Sequence, residues 1–255
     1  MNSLDLFRLD GKVALVTGAS RGLGVEMAQA LVDAGADLAI SSRNEESIRS
    51  IADSLSTEEH SVLPLVADVT KPDEVKAMVE AVIEKFGRLD ILVNNAGVNI
   101  RRPFEEYDVS EWKTIIDTNV IGVLTCSQAV LPQMRKQKWG RIINIGSMMG
   151  TVGMPTRVPY AASKGAVHQI TRTLCHEVAK DGININTIAP GPFMTEMNKA
   201  VIDQPDVYNF FINRVPLGRW AEPKELRGIT LFLASEASSY VTGTTIHVDG
   251  GWTAA

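Results

Sequence analysis

The sequence predicts an α/β protein built on a doubly wound parallel sheet of seven strands with helices on both faces. Three observations carry that prediction. Short β-rich runs alternate with longer segments of helical period from the start of the chain to about Gly191, which is the rhythm of βαβ units. Most of those runs are continuously apolar, as strands covered on both faces are. A cluster of glycines separates the first run from the first helical segment, at the first βα connection of such a sheet.

Strands are expected at Val13 to Thr17, Leu38 to Ser41, Val62 to Val66, Ile91 to Val93, Arg141 to Ile145, Ile183 to Ile188 and Thr244 to Val248. The clearest helix lies between the third and fourth, where Val75, Met78, Val79, Val82, Ile83 and Phe86 recur at helical spacing on one face. Thr70 is expected to cap it and Gly87 to end it. Between Pro190 and Glu222 the rhythm breaks, with Pro192, Pro205, Pro216 and Pro223 among mixed residues. That interruption reads as a lid or substrate loop at about 190–222, carrying one or two short helices. The length exceeds the ~150-residue domain prior, but one α/β sheet reaches it without a seam. No linker, repeat or low-complexity tract interrupts the 255 residues, so a single domain over 1–255 is expected.

Twenty-five Lys and Arg stand against 30 Asp and Glu, a net charge of −5, which argues against a nucleic-acid partner. Apolar residues make up 45% of the chain and charged residues 22%, enough for a full core and too apolar for disorder. Cys126 and Cys175 form no CxxC pair and cannot make a disulfide framework, so a reducing compartment is expected. Asp5, Arg8 and Asp10 interrupt the N-terminus before any signal-like apolar run, and no apolar stretch reaches ~18 residues. A soluble cytoplasmic protein without a membrane partner is the expectation.

After the first strand comes Thr17-Gly18-Ala19-Ser20-Arg21-Gly22-Leu23-Gly24, opening an Ala- and Leu-rich helix. Glycines let the backbone turn tightly against a pyrophosphate, and a helix N-terminus offers it unpaired amides and partial positive charge. The spacing is GxxxGxG rather than GxGxxG, and alone such glycines also serve close helix packing. Asn94-Asn95-Ala96-Gly97 ends the fourth strand, either as crevice wall or as an ordinary turn. Ser147 follows the fifth strand, and Tyr160-Ala161-Ala162-Ser163-Lys164 opens a helix that puts Tyr160 and Lys164 on one face.

With these motifs the chain resembles the short-chain dehydrogenase/reductase family from end to end, from Gly11-Lys12-Val13-Ala14-Leu15-Val16-Thr17-Gly18 to Val248-Asp249-Gly250-Gly251. The resemblance implies a single Rossmann domain, with the turn of Gly18, Ser20, Arg21, Gly22, Leu23 and Gly24 at the cofactor pyrophosphate. Asp68 and Val69 correspond to the adenine contact, and Asn95, Ala96 and Gly97 to the element beside the cofactor in the central sheet. Asn119, Ser147, Tyr160 and Lys164 match the family's catalytic four. Pro190, Gly191 and Thr195 correspond to the segment that holds the nicotinamide amide. Relatives usually associate as tetramers, which implies a homotetramer here, with the apolar face around Val120, Val123, Leu124 and Val130 partly at an interface.

The chemistry agrees with that resemblance. Oxidising a secondary alcohol needs a base for the hydroxyl proton while the cofactor takes a hydride. Tyr160 would be the base, with Lys164 favouring its phenolate and gripping the nicotinamide ribose. Ser147 would bind the substrate oxygen, and Asn119 would hold a water linking Lys164 to solvent.

At the end of the second strand the sequence reads Ser41-Ser42-Arg43, without the acidic residue of NAD-specific relatives. Arg43 and Arg21 could bind a 2′-phosphate, so NADP is the preferred cofactor and NAD the possible one. Within the family the chain looks most like the sugar-acid and polyol dehydrogenases, gluconate 5-dehydrogenase among them, from Leu6-Phe7, Asp117-Thr118-Asn119 and Val248 to Trp252. Arg101, Arg102 and Arg157 fall in loops at the crevice rim and favour an anionic small-molecule substrate, while Met149 and Met154 are candidate pocket walls. The alternatives are a 3-oxoacyl thioester reductase and a non-catalytic dinucleotide-sensing regulator.

Overall fold

The computed structural model describes residues 2–57, 60–198 and 202–254. Its strands are β1 (Val13–Thr17), β2 (Asp37–Ser42), β3 (Val62–Val66), β4 (Ile91–Asn94), β5 (Gly140–Ile145), β6 (Ile183–Pro190) and β7 (Thr245–Val248). They form one sheet in the order β3-β2-β1-β4-β5-β6-β7, and every neighbouring pair is parallel. All seven expected strands are present, with ends moved by at most two residues.

Burial explains the strand composition. Val13 and Leu15 of β1 pack with one face and Ala14 and Val16 with the other, so every position of the strand is apolar up to Thr17. The first face carries α3 (Pro72–Phe86), α5 (Gly122–Gln137) and α6 (Val158–Val178), whose Val79, Val130 and Val178 join Leu15 and Leu92 in one core. The opposite face carries α1 (Leu23–Asp33), α2 (Glu45–Leu55) and, late in the chain, Arg227–Ala234, with Leu31, Ile48 and Leu233 packed under Val16 and Ile143.

The α3 helix is read correctly except at its start. Gly87 closes it with φ +77°, but its N-cap is Lys71, Pro72 takes the first turn, and no side chain caps it. Thr70 instead gives its amide and hydroxyl to Asp68 Oδ1 at 3.0 and 2.8 Å. Before α5 the chain runs through α4 (Val109–Ile116) and a wider π turn at Asp117–Ile121, making one helical run from Val109 to Gln137. By length and composition alone that run could cross a membrane, but here it lies on the sheet with Ile115, Val123, Cys126, Val130 and Met134 buried. Of the residues expected around a partly interfacial face, Val123 and Val130 are core of the chain's own fold, Val120 is half-buried and Leu124 is exposed.

Sheet order reverses between β1 and β4: the chain moves from β1 outward to β2 and β3, then returns to the other side of β1 as β4. That reversal opens a crevice at the carboxyl ends of the strands. The 190–222 segment, described except for 199–201, runs over it with a single turn at Glu196–Asn198 and the helix Pro205–Ile212, here α7; Arg227–Ala234 is then α8.

Candidate active site

The crevice has a volume of about 710 Å³ and runs from the ends of β2 and β3 to the loop after β6. At its centre Gly18, Ser20, Arg21, Gly22 and Leu23 form one wall. Gly18 and Gly22 have φ of +65° and +61°, and a Cβ on Gly18 would sit 2.7 Å from Ala96 Cα. Gly22 precedes α1 and supplies no side-chain cap, so the first amides of that helix have no side-chain acceptor. Gly24 does not line the crevice; its missing side chain lets α1 close on Asn95, whose Nδ2 would be 2.6 Å from a Cβ there. Asn95 binds the turn to the β4 end, donating from Nδ2 to the Thr17 and Gly18 carbonyls at 3.0 and 2.8 Å.

Beyond β2 the wall is Ser42, Arg43, Asn44 and Ser47, facing Asp68 and Val69 after β3. Burial works to raise the Asp68 carboxyl, but the two Thr70 hydrogen bonds and the cations Arg43 and Lys71 hold it below its ordinary value. Arg43 and Arg21 are exposed, and Arg21 makes only a 3.7 Å contact to Glu196.

At the other end Ser147, Tyr160 and Lys164 meet. Ser147 begins a turn after β5, its Oγ accepting the Met149 amide at 3.1 Å. Tyr160 and Lys164 project from α6, with Lys164 Nζ 5.7 Å from the Tyr160 ring centre and donating to the Ile145 carbonyl at 2.7 Å. Burial pushes the Tyr160 phenol up, while a hydrogen bond with Ser147 and the charges of Arg101 and Arg157 pull it back. Burial alone pulls the Lys164 ammonium down to about 8. The Arg101 and Arg157 guanidiniums thus favour the phenolate from the crevice side, and Lys164 lies 5.7 Å from the same ring.

Asn119 lies close to Lys164, its Oδ1 and the Lys164 Nζ 3.3 and 3.7 Å from the same point beside Gly97. It is wholly buried behind the crevice wall, in the π turn, with Oδ1 accepting the Val98 amide and Nδ2 donating to the Val98 carbonyl and Ser163 Oγ. These bonds tie the loop after β4 to α6.

The three arginines separate. Arg101 and Arg157 line the crevice, partly buried, with Arg101 held by Asn198 Oδ1 at 2.7 Å and Arg157 by the Pro155 carbonyl at 3.0 Å. Among the described residues neither has a carboxylate partner, and burial pulls both guanidiniums down. Arg102 turns away to Glu111 at 2.9 Å and does not line the crevice, so it is no substrate contact in this structure. Met149 lines the wall, while Met154 packs behind it among Met148, Phe211 and Trp220. Pro190, Gly191 and Thr195 complete the wall after β6. Asn198, Phe211 and Trp220 also line it, and nothing in the sequence singled out Asn198.

A family model described as enoyl-(acyl carrier protein) reductase matches residues 18–253. The chain belongs to the short-chain dehydrogenase/reductase family. It is 41% identical over 247 residues to a 5-keto-D-gluconate 5-reductase of Escherichia coli, covering 97% of each chain. It is 40% identical over 243 residues to a 3-oxoacyl-[acyl-carrier-protein] reductase of Vibrio cholerae, covering 95% of this chain and 98% of that one. The crystal structure of a gluconate 5-dehydrogenase from Burkholderia cenocepacia in complex with NADP and tartrate superposes with a TM-score of 0.96 at 41% identity, over the whole of both chains.

The residues of this short-chain dehydrogenase/reductase fit a nicotinamide dinucleotide. Gly18 and Gly22 leave the wall bare where a diphosphate would lie, and uncapped amides at the start of α1 face it. The β2 end offers Ser42 and Arg43 and no acid to repel a 2′-phosphate.

Proposed function

We propose that this enzyme interconverts the secondary alcohol and ketone of a sugar acid with NADP(H), NAD(H) being the second choice. The observation that carries the substrate class is the pair of crevice guanidiniums, Arg101 and Arg157, with no carboxylate of their own beside Tyr160. Partly buried cations without a counter-charge attract an anion, and a guanidinium fork matches a carboxylate. An acyl thioester would leave both unmatched.

When bound, the nicotinamide supplies the hydride acceptor or donor. The rest falls to the chain. Tyr160, kept a protonated phenol by burial, hands its proton to a ketone oxygen and takes it back from an alcohol. Ser147 binds the same oxygen, and Lys164, fixed by the Ile145 carbonyl, lies on the same helical face to hold the ribose. Arg43 and Arg21 would hold the 2′-phosphate. The segment 190–222 serves as the substrate loop of a single domain. The enzyme is a soluble cytoplasmic homotetramer in this reading, with both cysteines free and buried.

A panel of sugar acids, their uncharged alditols and a 3-oxoacyl thioester, assayed with both cofactors, tests this. The expected result is higher kcat/KM for an acid than for its alditol and for NADP than for NAD, with Arg43→Ala narrowing the cofactor ratio. Tyr160→Phe should abolish turnover while cofactor binding survives. Equal rates on acid and alditol, or preference for the thioester, overturn the substrate class.

A further inference from the structure

We propose that His168 is a positioning residue, whose imidazole sets the distance between the Ser147 turn and the helix that bears Tyr160 and Lys164. The inference rests on the reading of those three residues given above. His168 lies one turn beyond Lys164 on α6 and is buried, with 3% of its surface exposed. Its ring is inserted between the two glycines that bracket Ser147. A Cβ on Gly146 would lie 2.5 Å from Nε2, and one on Gly150 would lie 2.5 Å from Cε1, both closer than real contacts allow.

Those glycines make room for the ring, and Thr187 Cγ2 at 2.7 Å and the Lys164 carbonyl carbon at 2.8 Å crowd the same two Cβ positions, so the turn 146–150 rests on the ring together with β6 and the α6 backbone. Within the turn the Gly150 amide bonds the Ser147 carbonyl at 2.9 Å and the Met149 amide bonds Ser147 Oγ, while the Gly146 amide ties its start to the Ile188 carbonyl of β6 at 2.8 Å. At its far side Thr151 Oγ1 meets His247 Nε2 at 2.9 Å, and His247 stands edge-on to His168 at 6.3 Å. The spacing of Ser147 from Tyr160 thus depends on what fills the slot between turn and helix.

His168 serves there by shape and neutrality. Its Nε2 has no hydrogen-bond partner among the described residues. Burial, aided by His247, Arg172 and Lys164, pulls the imidazole down to about 4, so it adds no charge beside Lys164 near neutral pH.

The test compares wild type, His168→Ala and His168→Gln, whose planar amide occupies part of the slot. A displacement of Ser147 by about 1 Å is expected to lower kcat in the Ala variant on the order of tenfold to a hundredfold, with cofactor Kd and substrate KM unmoved and the Gln variant intermediate. A readout independent of substrate is the ultraviolet titration of the Tyr160 phenol, isolated by subtracting the Tyr160→Phe chain. His168→Ala should shift its midpoint upward, and Ser147→Ala should do the same, because the Ser147 hydrogen bond is lost. A kcat within twofold of wild type, a loss shared equally with cofactor affinity, or an unmoved phenol midpoint overturns the inference. If His168→Ala does not fold, the same readouts on the Gln variant decide. A wild-type enzyme inactive on every panel substrate would fail the proposed function instead, and the phenol titration would still judge His168.

Discussion

Arg101, Arg102 and Arg157 are alike in the sequence and unlike in space. Arg101 and Arg157 face the crevice, whereas Arg102, next in sequence to Arg101, points the other way into a pair with Glu111. Losing a charge-assisted contact to a substrate carboxylate is expected to raise KM for the acid roughly tenfold or more in Arg101→Ala and in Arg157→Ala. KM for the alditol should not move. Arg102→Ala loses only an exposed ion pair, so it should change either KM by less than about twofold. Steady-state kinetics of the three variants on an acid and its alditol check this. The sequence revealed the loop and its charge but not the direction of each side chain, which is set by Glu111 and by Asn198, 97 residues from Arg101. Asn119 teaches the same lesson: its type and place were legible, but its engagement with Val98 and Ser163 depends on a π turn that no local pattern announces.

Elements were far more legible, because a strand buried on both faces must be apolar throughout and a tight turn against a neighbour must be glycine. Glycines at two such places separate the two reasons. Gly87 has φ +77° with nothing within 4 Å of a Cβ, so Gly87→Ala carries only the left-handed backbone cost, about 1–2 kcal/mol. Gly18 has φ +65° and Ala96 Cα at 2.7 Å from a Cβ, so Gly18→Ala adds overpacking and should cost on the order of 2–4 kcal/mol. Gly18→Ala should also weaken cofactor binding, which Gly87→Ala should leave alone. Denaturant midpoints and cofactor titration measure both. Thr70 shows where local reading stops. A threonine before a helix fits a cap by propensity, but Asp68, two residues earlier, takes both its amide and hydroxyl, and Pro72 starts the helix without it.

At the scale of the whole molecule, the helical run from Val109 to Gln137 is apolar on more than the face it lays on the sheet. Trp112, Ile116, Ile121 and Leu124 remain 38%, 36%, 43% and 42% exposed. Their steps of four, five and three keep one stripe, because the π turn at Asp117–Ile121 inserts the extra residue between Ile116 and Ile121. In the homotetramer proposed above, this exposed apolar stripe is the surface that a second copy of the chain would cover. The inner side of the same helix supplies the control. Leu124→Lys should lower the solution mass by sedimentation while leaving the circular dichroism and melting behaviour of a folded chain. Val130→Lys, by contrast, puts an unpaired charge among Val79, Leu92 and Met134 and should abolish cooperative folding. A Leu124→Lys chain with the wild-type mass would remove this face from the interface, and a wild-type chain that sediments as a monomer would end the homotetramer.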